Sequence, residues 1–288
     1  MANLSKMKVS NSHNLSDLMF SVKKVETESI TGIPSNSDYS HTIIGLTSDG
    51  EKHLNFCSNR YELVPVSTFA PQIRQIVINK GLKFTENYRM LNNSVFYGEM
   101  IIDDKNFYIG EKSDKLQMRL FWRHSYNGLE NYTLDLGTFK RVLCSNGLWI
   151  TKYDNENFGL SITGKHTQKI KISLEALTEK LTYVLENDVL ETVIKTSFAP
   201  LYDNWVKNWQ DRLIEVMNVS KIGTTKTNIE LISNVIAKEA NILYKGSVNN
   251  WLIYNGINSF MFNDANNNAY ESKRQATDNK VLSTLLAM

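Results

Sequence analysis

A chain of 288 residues, 42 % hydrophobic and 22 % charged, can bury a sizeable core, which excludes the disordered and fibrous classes. Its formal net charge of +2 is uninformative alone, but two cysteines, Cys57 and Cys144, exclude a disulfide framework and a thiolate zinc cluster. That usage predicts a reduced, cytoplasmic setting in the host cell; the N-terminus lacks a signal-peptide core and no run approaches the roughly 20 apolar residues of a membrane span.

In chain order, residues 1–40 are rich in Ser, Asn and Lys and read as a partly ordered arm with a weak helical pattern around Leu15–Val22. "SHTIIGLTSDGEKHLNFCSNRYELV" predicts a hairpin across Ser48-Asp49-Gly50. A helix follows, with Ser67 as N-cap, Gly81 at its end, and Phe69, Ile73, Ile76 and Val77 on one face. Five strand-like segments come next: "KFTENYRML", "SVFYGEMII", "NFYIG", "KLQMRLFWRHS" and "YTLDLGTFKRVL". Asp103-Asp104-Lys105-Asn106 and Tyr126-Asn127-Gly128 read as turns between them. In "KLQMRLFWR", Leu116, Met118, Leu120 and Trp122 alternate with Gln117, Arg119, Phe121 and Arg123. That period of two predicts a half-buried strand with a basic, aromatic outer face.

From Ser173, a predicted N-cap, the apolar spacing turns to three and four and stays helical through "LYDNWVKNWQDRLIEVMN", "TNIELISNVIAKEAN" and "VNNWLIYNGINSFMF". The expected fold is α+β, with a mostly antiparallel sheet in the N-terminal half and a helical C-terminal half. The expected division is an arm over 1–40, a β-rich core with one helix over 41–172, and a helical part packed on it over 173–288.

No recognised catalytic signature stands in the chain. The histidines His13, His41, His53, His124 and His166 form no pair at ligand spacing, and there is no Walker loop, dinucleotide turn or zinc pattern. No cofactor or metal is therefore expected. Cys144 lies among Val142, Leu143, Leu148 and Trp149, the setting of an inert buried thiol. A nucleophilic role with His166 as base remains the enzymatic alternative.

The stronger signal is basic and aromatic. Residues 105–172 hold eleven Lys/Arg and six Asp/Glu, a net of +5, which falls to +3 if Asp103 and Asp104 are included. Arg119, Phe121, Arg123, Tyr126, Lys140, Arg141, Lys165, His166, Lys169 and Lys171 combine cations with flat rings. Single-stranded nucleic acid is held by that mixture, cations on phosphates and rings on bases, without any base-reading motif. The competing explanation is that the rings pack under a second layer and the lysines are ordinary surface charge.

"GLTSDGEKHLNFCSNRYELVPVSTF", "KRVLCSNGL", "GKHT" and "NNWLIYNGINSFMF", in that order and spacing, resemble the phage/plasmid-like family of unknown function called domain of unknown function 932. The resemblance covers roughly residues 40 to 285 and implies a phage or mobile-element origin without an established activity. It has two departures. Lys165 stands where members often have Arg, and Gly147 where they often have Thr. The polar core of Arg141, Cys144, Asn146, His166 and Thr167 is unaffected. The helix, strands, helix order over 66 to 198 is also similar to RecT-like single-strand annealing proteins. The expected function is sequence-independent binding of single-stranded DNA, with annealing as its use and self-association as a further expectation. The alternative is a protein that docks on a host partner, such as an inhibitor of a host defence system.

Overall fold

The computed structural model describes residues 9–32, 36–110, 114–143, 146–150, 160–164, 179–264 and 271–288. The fold is α+β, with antiparallel sheet in the N-terminal half and helices in the C-terminal half. The strands are β1 (Val9–Ser12), β2 (Ser21–Glu26), β3 (His41–Thr47), β4 (Gly50–Cys57), β5 (Phe84–Leu91), β6 (Val95–Ile109), β7 (Asp114–Ser125), β8 (Tyr132–Arg141), β9 (Gly147–Trp149) and β10 (Ser161–Gly164). One sheet has the order β1-β5-β6-β7-β8-β10, with β9 on β8, and the other has the order β2-β3-β4. The helices are α1 (Thr27–Thr31), α2 (Val66–Asn79), α3 (residues 179–186), α4 (Val189–Ser197), α5 (Ala199–Asp203), α6 (Trp209–Val219), α7 (Lys226–Tyr244), α8 (Asn250–Ser259) and α9 (Glu271–Leu286). A π-helical turn, Phe260–Asp264, extends α8.

Two compact units share the chain. The first comprises Met1–Asp104, Leu120–Leu136 and Ser161–Tyr183; the second comprises Lys105–Arg119, Gly137–Leu160 and Val184–Met288. In the first unit, the expected hairpin is β3–β4, whose register closes at Thr47↔Gly50. Within the expected N-terminal arm, Val9–Ser12 and Ser21–Glu26 are strands. β1 pairs with β5 from Val9↔Leu91 to Ser12↔Tyr88, and β2 pairs along β3 from Ser21↔Leu46 to Glu26↔His41. Strand pairing supplies the partners that its few apolar side chains cannot.

α2 begins at Val66 rather than at an N-cap Ser67. Its N-cap is Pro65, and the Val66 N–H donates to the Tyr126 hydroxyl at 2.9 Å. Its buried face, Val66, Phe69, Ala70, Ile73 and Val77, meets the sheet where Phe69 stands edge-on to Trp122 at 5.8 Å. Gly98 on β6 exists for that indole: a Cβ there would overlap the Trp122 ring. Asp103 and Asp104 form no turn; they lie inside β6, one continuous 15-residue strand, and the Asp103 N–H donates to the Lys83 carbonyl at 2.9 Å. Ladder bonding overrides the local turn preference of this polar stretch.

In the second unit, α8 is buried along its whole length and runs beside α7, α5, α6 and α9. Gly256 makes the α7 approach close, because a Cβ there would meet Ile236. The predicted N-cap Ser173 lies outside the described residues.

Candidate functional site

The predicted outer face of β7 is not a surface. Leu116, Met118, Leu120 and Trp122 are buried as expected, but Arg119, Phe121 and Arg123 are only 1 %, 5 % and 7 % exposed. β7 is an inner strand between β6 and β8, and both of its faces are covered. In the first unit, Phe121 stacks on Tyr97 at 6.1 Å and Arg123 stands 3.5 Å from the buried Asp135 carboxylate. Tyr126 is buried as the cap of α2, and burial pushes its hydroxyl up to about 12. In the second unit, Arg119 lies over the Trp149 ring at 4.7 Å and the Phe262 ring at 6.0 Å. These four residues are thus corrected from nucleic-acid contacts to core. Lys140 is half-buried; Lys165, His166, Lys169 and Lys171, like Cys144, lie outside the described residues.

Arg141 is also core, for an instructive reason. β8 ends on it, the chain turns, and β9 returns with Thr138↔Trp149, Phe139↔Leu148 and Lys140↔Gly147 in register. The Arg141 N–H then donates to the Asn146 carbonyl at 3.1 Å, which holds the two motif residues side by side. The Arg141 guanidinium is fully buried. Its Nε donates to Asp114 Oδ2 at 2.7 Å and its Nη1 to Glu239 Oε2 at 2.6 Å, while Trp251 Nε1 donates to the same Asp114 oxygen at 2.8 Å. One cation thereby links β7, β8 and α7, and Asp114 carries the link to α8. Removing one side of a buried pair of this kind leaves an uncompensated charge in the core.

A second polar chain starts from Asn146. Its Nδ2 donates to Asn258 Oδ1 at 2.6 Å, and Asn258 Nδ2 donates to Asp278 Oδ1 at 2.6 Å and to the Gly147 carbonyl at 3.0 Å. Tyr254 Oη donates to Asp278 Oδ2 at 2.7 Å. Burial pushes the Asp278 carboxyl up to about 6 and raises the Tyr254 hydroxyl well above its ordinary value. At Gly147 a Cβ would overlap the Arg119 guanidinium. The motifs "KRVLCSNGL" and "NNWLIYNGINSFMF" therefore meet in a closed polar core. Among the described residues no group of three or more His, Cys, Asp or Glu could hold a metal ion.

The second unit also carries an exposed aromatic ledge that periodicity does not reveal. Tyr202, Trp205 and Tyr244 pack mutually at 5.9, 5.7 and 5.4 Å, with the Trp205 and Tyr244 rings perpendicular. Trp205 is 47 % exposed. The backbone explains the placement. Trp205 bridges antiparallel to Asn249, the Val206 N–H donates to the Val248 carbonyl at 2.9 Å, and Asn249 Nδ2 donates to the Tyr202 carbonyl at 2.9 Å. This pairing brings the segment after α5 against the segment after α7, the two segments that also carry Lys207 and Lys245. Both lysines are exposed. The apolar spacing in "LYDNWVKNWQDRLIEVMN" predicts helix throughout, but the chain leaves the helix over 204–208 between α5 and α6, and the ring that Trp205 meets, Tyr244, comes from a distant helix.

No helix among the described residues is long and apolar enough to cross a membrane. No curated protein and no solved structure matches the chain, so the likeness in element order to RecT-like proteins finds no support. The model of the domain of unknown function DUF932 matches residues 53–277, which include both motifs of the buried polar core. This coverage, most of the chain, makes the protein a member of the DUF932 family.

Proposed function

We propose that this protein binds single-stranded nucleic acid without sequence preference, and that it does so through the aromatic ledge rather than through β7. The observation that supports the reading is the half-exposed Trp205, braced by Tyr202 and Tyr244, with the exposed Lys207 and Lys245 in the same two segments. An unpaired base offers a flat face to such a ring, worth about 1–3 kcal/mol per base, and a duplex does not. Asp203 stands in the same segment, so the ledge is only mildly cationic and stacking carries most of the affinity. Binding of this kind leaves Watson–Crick edges free, which is what strand annealing in a phage or mobile-element setting would require.

The test is fluorescence anisotropy with a labelled oligonucleotide at low salt. Two phosphate contacts predict a log–log salt slope of about −1.4 for a single strand. Trp205→Ala should abolish most of the affinity, and replacing Lys207 and Lys245 by Ala should flatten the slope. Absence of binding to wild-type protein at low salt would refute the reading.

A second reading, docking on a host protein, is favoured by one observation in the first unit. Ile30, Tyr39 and Phe56 are 52 %, 56 % and 45 % exposed. Ile30 and Phe56 line a pocket of about 230 Å³ on the small sheet, together with Ile44 and His53. Exposed apolar patches of this sort mark protein contacts. If Trp205→Ala leaves activity in vivo intact and Phe56→Ser abolishes it, this reading replaces the first.

A further inference from the structure

Three segments of the first unit meet around a pocket of about 240 Å³: the 3-10 turn Leu15–Leu18 with the two residues after it, the β3–β4 turn, and the β5–β6 turn. Its lining joins two exposed carboxylates, Asp17 and Asp49, to Met19, Phe20, Met90 and Asn93. Asn93 is the unusual member. It is only 9 % exposed, and its side chain makes no hydrogen bond among the described residues. Buried carboxamides normally have partners, and one without calls for an explanation. Local geometry does not supply it. The Ser94 N–H donates to the Leu91 carbonyl at 3.0 Å, and Asn92 and Asn93 have φ of 49° and 58°, so they are the central pair of a type I′ turn. Glycine suits the second central position better than asparagine does.

The carboxylates are held in place. Ser12 Oγ donates to Asp17 Oδ2 at 2.6 Å and itself accepts the Asn14 N–H at 2.9 Å, while Asp17 Oδ1 makes no hydrogen bond among the described residues. The Asp49 N–H donates to Thr47 Oγ1 at 3.3 Å. Lys52 Nζ donates to Asp49 Oδ2 at 2.8 Å and offsets part of that charge, but no cation stands among the described lining residues. We propose that this pocket binds an alkylguanidinium group, the arginine side chain of a partner protein. A guanidinium presents a planar fork of donors, which carboxylate and carboxamide oxygens accept. Its aliphatic stem would lie along Met19, Phe20 and Met90. The volume is below the roughly 300–1,000 Å³ of small-molecule sites and suits one inserted side chain. A calcium ion takes about six to eight oxygen ligands, and the apolar part of this lining supplies none. An acidic pocket repels phosphate, so the site is independent of the nucleic-acid reading.

Titration of the full-length protein with N-acetyl-arginine amide, followed by amide NMR spectra, tests the site. Saturable shifts should appear at residues 17–20, 47–49 and 90–93, with millimolar affinity for so small a probe. The citrulline analogue has the same shape without the charge and should bind about 10-fold or more weakly. Asp17→Asn should weaken the arginine probe by about 10-fold. Asn93→Gly should weaken it similarly while leaving the melting temperature nearly unchanged, because glycine suits that turn position. Absent shifts, equal binding of the citrulline analogue, or full affinity in Asn93→Gly would each overturn the proposal. So would a clear drop in the melting temperature of Asn93→Gly, which would make the carboxamide structural. Calcium chloride shifting the same amides at lower concentration would make this a metal site instead, and preference for free agmatine over the peptide-like probe would overturn the assignment to a protein partner.

Discussion

Arg141→Met should be among the most destabilising single substitutions in this protein. The side chain is fully buried and holds two carboxylates, Asp114 through Nε at 2.7 Å and Glu239 through Nη1 at 2.6 Å. Methionine fills much of the volume but leaves both acids in the core with their guanidinium partner gone. Breaking one buried pair in this way costs about 3–5 kcal/mol. The two losses share one cation and are not additive, so about 5 kcal/mol is expected. At about 2–4 °C per kcal/mol, the melting temperature should fall by about 10–20 °C. Urea unfolding and thermal melting followed by circular dichroism measure both quantities. Combining Arg141→Met with Asp114→Asn and Glu239→Gln removes the buried charges and should recover most of the loss. A single-variant cost below about 1 kcal/mol, the value of an exposed ion pair, would refute the buried-cluster account and return Arg141 to the surface role suggested by its sequence context.

Other substitutions test the packing directly. Gly98→Ala would push a methyl group into the Trp122 ring, which is fixed between Phe69 and Tyr88; overpacking should cost about 1–3 kcal/mol in denaturant unfolding. Leu120→Ala, at a fully buried position, should cost about 2–5 kcal/mol by the same measurement. Tyr126→Phe removes the hydroxyl that accepts the Val66 N–H, and should cost about 1 kcal/mol with faster amide exchange in the first turn of α2.

Local periodicity was a sound guide to element type. The β3–β4 hairpin, the α2 face and the alternation in β7 were readable because each depends on neighbours within a few residues. Side-chain accessibility was not readable in the same way. Period two in "KLQMRLFWR" separates two chemistries without stating that one of them is wet. Arg119 is buried because Trp149 and Phe262, far along the chain, close over it. Charge was misleading for the same reason: an Arg reads as exposed until Asp114 and Glu239 arrive from other elements to balance it. The ledge was missed because Trp205 gains its meaning from Tyr244, a residue it meets only through the bridge to Asn249.

Fold class, the strand and helix periods, and the family motifs are legible along the chain, since all of these are short-range patterns of apolar and polar residues. Which charged and aromatic residues face water follows from packing alone. Burial is a property of what distant segments bring to a position, and in this protein they bring carboxylates and rings to the arginines of β7 and β8 while leaving Trp205 open.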